Sequence, residues 1–176
     1  MNHSGWARVI ALIFPYFIIV GLFQLAGAFV AGIPFGDNDF QETSLQQLIM
    51  TFFSFLGTLL LVWIFMKYMD KQNFMEVGLQ IKNRKKDIII GTLLGLVIMG
   101  LAYVSLWAAE EIIYTKFNFD VLELIYTTLL FILIAILEEV LFRGYILKNL
   151  MLSFNKYIAL IFSSIVFAIA HGANPN

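Results

Sequence analysis

The sequence predicts an all-α fold: a polytopic membrane helix bundle of about five transmembrane helices with its N-terminus in the cytoplasm. Three observations predict it. Of the 176 residues, 61% are hydrophobic and only 13% charged, with a mean hydropathy of +0.87, whereas a soluble domain carries about 25% charged residues. Four apolar stretches, at 9–33, 47–66, 88–108 and 122–147, reach the roughly 20 residues that a spanning helix needs, and a fifth runs from Tyr157 to at least Ala170. The charged residues collect in the connections, and their sign alternates along the chain.

Arg8 precedes the first stretch, which runs from Val9 to Ile33. That exceeds the roughly 7–15 residue core of a signal peptide, so the stretch reads as a retained helix. Pro15 predicts a kink within it, and Gly21, Gly27 and Gly32 predict close helix contacts. The connection 34–46 holds Asp37, Asp39 and Glu42 and no Lys or Arg, whereas 67–87 holds Lys67, Lys71, Lys82, Arg84, Lys85 and Lys86. Positive charge stays inside, so the second connection is cytoplasmic and the first is external. The same rule puts 109–121, with Glu110, Glu111 and Asp120 against Lys116, outside, and the turn 148–156, with Lys148 and Lys156, inside. The cluster from Lys82 to Lys86 reads as fixing orientation, with binding of anionic lipid as the alternative. Phe74 to Gln80 reads as a short amphipathic piece on the cytoplasmic surface. The domain organisation expected is 1–121, the N-terminal transmembrane helices with the basic loop 67–87, followed by a core at 122–176.

Composition also excludes function classes. A net charge of −1 offers no basic footprint for nucleic acid. Without cysteine there is no disulfide, thiolate metal site or Cys nucleophile.

The fourth stretch ends FILIAILEEVLFRGYIL, residues 131–147. Its charges need partners, because each costs about 2.5–3.5 kcal/mol at the centre of a membrane helix. Glu139 and Arg143 stand four apart in the favourable order and can pair. Glu138, about 100° round the helix, has no basic residue at pairing distance. In the fifth stretch Phe167 and His171 stand four apart on one face. A membrane histidine is a candidate base, proton carrier or metal ligand.

The two helices are joined by a short turn and must be antiparallel neighbours, so Glu138 can face His171. A carboxylate opposite an imidazole suits hydrolysis: Glu accepts a proton from water, and His orients the water, stabilises an oxyanion or binds a metal. With helix ends at Leu147 and Tyr157, however, Glu138 lies roughly 13 Å and His171 roughly 21 Å from the cytoplasmic end. Helix tilt, or a helix start that protrudes into the cytosol, is needed to bring them level.

Glu138-Glu139-Val-Leu-Phe-Arg143 matches the EExxxR motif, and Phe167-Ala-Ile-Ala-His171 the FxxxH motif, of the CAAX-protease and bacteriocin-processing (Abi) family of intramembrane proteases, which 122–176 resembles. The resemblance implies a multi-pass protein of a bacterial cell membrane, acting on a membrane-associated peptide or protein C-terminus within reach of membrane lipid. It assigns Glu138 to activating water, His171 to binding or polarising it, and Glu139, Arg143 and Phe167 to support. It implies either a divalent metal such as zinc, held by Glu138 and His171, or a glutamate-activated water without catalytic metal. The family's third motif, HxxxN or HxxxB on a later helix, has no counterpart: His3 stands at the wrong end, and Asn174 and Asn176 lie in a loop. A fragment of a longer protein is therefore expected. The alternatives are a non-catalytic immunity or scaffold factor and, with less support, a proton-relay transporter.

Overall fold

A computed structural model describes residues 5–34, 36, 40–79, 83–113, 115–116 and 119–172. His3, Asp37, Asp39, Gln80, Lys82, Asn174 and Asn176 lie outside the described residues. Five helices make up the fold, with no strand among the described residues: α1 (Gly5–Ala31), α2 (Ser44–Phe65), α3 (Lys85–Ala108), α4 (Val121–Met151) and α5 (Lys156–His171). The chain is all-helical and multi-pass, as its composition requires, since α1 to α4 are each long and apolar enough to cross a membrane. α5, at 16 residues, is shorter than a full span. The chain divides into two compact units, Met1–Leu79 with Val121–Asn176, and Gln80–Asp120.

In the first unit α1 and α2 pack along much of their length. The buried residues of α1, including Gly5, Val9, Leu12, Gly27 and Ala28, recur at helical spacing. Of the three glycines expected at contacts, Gly27 alone serves one: a Cβ there would stand 3.0 Å from the Phe53 Cβ. Gly21 faces open space, and Gly32 adopts a φ of +68° just past the last turn of α1. Gly57 of α2 makes the reciprocal approach, to Phe23. α1 continues through Pro15 without interruption. Thr43 opens α2 with a capping box: its Oγ1 accepts from the Gln46 backbone N–H at 3.3 Å, and its own N–H donates to Gln46 Oε1 at 3.0 Å. The Gln46 amide also donates to the Ala31 carbonyl at 3.1 Å, which joins the end of α1 to the start of α2.

Two stretches depart from α geometry. α2 runs into a π-helical turn, Met66–Asp70, that Lys71 stops in the left-handed conformation. α4 widens into π-helix over Glu139–Leu147, with i→i+5 hydrogen bonding, and returns to α over Lys148–Met151. The core gathers on this wide segment: Tyr145, 1% exposed, meets Phe65 edge-to-face at 6.0 Å, with Leu61, Val62, Met66 and Val140 around it. The piece read as amphipathic turns one side chain into the core and leaves Met75 and Glu76 exposed. Phe74–Val77 forms a 3₁₀ turn whose Val77 is buried against α4, where Gly144 leaves room for it.

The sequence places a turn from Lys148, but α4 continues to Met151 because tertiary contacts hold Asn149 in the helix. Asn149 is buried, donates to the Tyr145 carbonyl at 3.2 Å and accepts from Arg8 at 3.5 Å. Arg8, which precedes the first apolar stretch, also pairs with Asp70 at 2.8 Å, the two side chains being 15% and 4% exposed. Three chain segments therefore meet at one largely buried ion pair. Gly5 lies so close to the Asn149 carbonyl that a Cβ would overlap it.

In the second unit, α3 is apolar around its whole circumference. Thr92 and Ser105 return their hydroxyl protons to the carbonyls of Ile88 and Leu101.

Removing one partner of a buried ion pair leaves the other uncompensated, at a cost of about 3–5 kcal/mol. Asp70→Ala is expected to lower the thermal unfolding midpoint in detergent far more than Glu139→Ala, whose pair with Arg143 is exposed. Equal, small shifts would contradict this account of the core.

Candidate active site

The site is built where α4 meets α5. The turn between them is Leu152 to Asn155, and Asn155 caps α5 by accepting from the backbone N–H of Tyr157 at 3.1 Å and of Ile158 at 3.0 Å. So short a connection returns the chain antiparallel along α4. Because α4 runs on to Met151, Glu138 stands 13 residues from its end, at most about 20 Å. His171 stands 15 residues from the start of α5, about 22 Å. The extension of α4 to Met151 thus narrows the depth mismatch expected from the sequence.

Glu138 and His171 meet directly, Oε1 to Nε2, at 3.1 Å. The other imidazole nitrogen, Nδ1, lies 2.9 Å from the Phe167 carbonyl. A carbonyl only accepts, so Nδ1 carries the proton. The Nε2 to Oε1 bond then needs one further proton, held either as imidazolium with carboxylate or as imidazole with carboxylic acid. In both states the pair is neutral as a whole, which suits two titratable groups in an apolar setting.

Phe167 positions the imidazole twice, through its carbonyl and through its ring, which stacks on His171 with centroids 4.1 Å apart and planes at 28°. Phe142 of α4 closes the cluster, meeting Phe167 edge-on at 5.0 Å. Sequence reasoning missed Phe142, which lies inside the EExxxR motif and carries no polar signal of its own.

Glu139 and Arg143 form the pair that their spacing predicts, at 3.0 Å, with side chains 55% and 75% exposed. They border a groove of about 420 Å³ between α4 and α5, lined also by Glu138, Phe142 and Leu160. A regular α-helix would turn Arg143 about 140° from Glu138. The π-helical hydrogen bonding after Glu138 reduces that angle, and both side chains line the same groove.

Among the described residues no group of three or more His, Cys, Asp or Glu side chains gathers. Glu138 and His171 supply two donors, one fewer than the three protein ligands of a typical catalytic zinc. The described residues therefore do not fit that ion on their own.

Residues 120–176 match a family model described as Rce1-like, type II CAAX prenyl endopeptidase Rce1-like. No curated protein and no solved structure gives a significant match.

The donor arrangement fixes a tautomer. With ¹⁵N-labelled histidine in lipid, the neutral His171 ring is expected to show its proton on Nδ1, and titration is expected to add or remove a proton at Nε2 only. A neutral ring protonated at Nε2 would contradict the bond to the Phe167 carbonyl.

Proposed function

We propose, from the match of residues 120–176 to the Rce1-like model of type II CAAX prenyl endopeptidases, that this chain carries the reacting core of an intramembrane peptidase. The observation that carries the reading is the Glu138–His171 bond at 3.1 Å beside an open groove. In the ion-pair form the proton sits on Nε2, and the carboxylate keeps Oε2 free to act as a base. A water held at Oε2 attacks the peptide carbonyl as Glu138 takes its proton. Collapse of the tetrahedral intermediate breaks the C–N bond, and Glu138 returns the proton to the leaving amine. The imidazolium beside it supplies positive charge where the oxyanion develops, and its Phe167 anchors keep it aimed.

The substrate in this reading is a peptide, presented by a membrane-associated protein C-terminus, with lipid around it and no nucleic acid. α4 runs from outside to inside, so the groove opens toward the cytoplasmic half of a bacterial cell membrane. The basic residues Arg84, Lys85 and Lys86 at the start of α3 support that orientation.

Two measurements test the reading. A general base contributes roughly 10²–10⁴-fold in rate, so Glu138→Gln is expected to lower hydrolysis of a membrane-tethered peptide by about that factor at unchanged protein levels. Full retention of the cellular phenotype by Glu138→Gln would favour a non-catalytic immunity or scaffold role. For orientation, the absence of native cysteine allows Lys85→Cys to be labelled alone. A membrane-impermeant maleimide is expected to modify it in inverted vesicles and not in intact cells.

A further inference from the structure

We propose that Ser163 and Ser164 of α5 bind the main chain of the substrate in the groove beside Glu138, holding it extended. This rests on the peptidase reading above and specifies how the same site grips its substrate. Ser164, Phe167 and His171 are spaced three and four apart, so they form one stripe along α5, with Ser163 adjoining it. Both serines line the groove that Glu138 and Phe142 face from α4.

Their hydroxyls differ from those of four other residues in the spanning helices. Ser54, Thr92, Ser105 and Thr128 each donate to the carbonyl four residues earlier, at 3.0, 2.9, 2.8 and 2.7 Å. That is the usual way for a hydroxyl to be satisfied in an apolar helix. Ser163 and Ser164 make no hydrogen bond among the described residues, although Ser163 is only 6% exposed. Both hydroxyls line the groove, so what enters it can offer them a hydrogen-bond partner.

The chemistry of the partner follows from what else lines the groove. Glu139 and Arg143 satisfy each other, Glu138 is bonded to His171, and Phe142, Leu160 and Phe167 are apolar. The remaining demand is for neutral groups that both donate and accept. An extended peptide offers backbone N–H and C=O groups on its flanks, whereas a helical one has already used them internally. The serines thus select an unwound stretch next to the reacting carboxylate, and do so independently of sequence.

The test uses the full chain in lipid nanodiscs and a dye-labelled, palmitoylated peptide of alternating Ala and Leu. Ser163→Ala with Ser164→Ala is expected to raise Kd by about 5- to 50-fold, the loss of two neutral hydrogen bonds. A matched peptide whose central amides are replaced by esters lacks the N–H donors and keeps only the carbonyl acceptors, so the double substitution is expected to weaken its binding less than that of the amide peptide. Equal binding of the amide peptide, an identical loss with the ester peptide, or no binding by the wild type would each overturn the proposal. If the double variant does not fold, Ser164→Ala alone carries the comparison, because its side chain is exposed. Hydrolysis followed in the same samples separates the two readings: peptide binding with this pattern but no cleavage counts against the peptidase alone.

Discussion

An ionisable side chain in an apolar helix has to be matched by a partner on another element, and here that match is the bond from Glu138 to His171. Most of the local structure serves to make it possible. The Asn155 cap sets where α5 begins, and the buried Asn149 sets where α4 ends. Together they bring residues 33 apart in sequence to the same depth. The Phe167 carbonyl fixes the imidazole proton, and its ring fixes the imidazole plane. Each support is modest, but together they leave the pair one geometry and one shared proton.

The π-helical segment of α4 is the second constraint. Its wider turn presents Glu138 and Arg143 to one groove while Val140, Leu141 and Tyr145 fill the core. A wide helix loses packing against its neighbours unless something fills the added breadth. Val77 does so by seating against Gly144, where a Cβ would stand 2.2 Å from the Val77 Cγ1. Lys148 adds contacts to Glu76 on the same short segment. The basic connection after α2 therefore supports the helix that carries the acidic pair.

The first residues of the chain are bound into the same arrangement. Arg8 reaches Asp70 at the end of α2 and Asn149 near the end of α4, and Gly5 lets α1 approach the Asn149 carbonyl. Charges that a hydropathy reading assigns to connections can thus be structural when the helix ends converge. In an apolar surrounding an Arg–Asp pair of this kind acts mainly through the penalty for losing one member.

The sequence by itself determined the helices and the pairings that are local. Apolar length fixes a membrane helix because every backbone polar group must be satisfied within it, and the Glu139–Arg143 pair follows from spacing on one turn. The pairing of α4 with α5 was legible for a similar reason, a connection too short for anything but an antiparallel return. What only the tertiary structure decided depends on contacts distant in sequence: the extension of α4 through Asn149, the π-helical widening around Gly144, the part Phe142 plays, and the unpartnered hydroxyls of Ser163 and Ser164. Helical period fixes which face a residue occupies only while the helix stays regular. Where packing changes the turn itself, no local pattern records it.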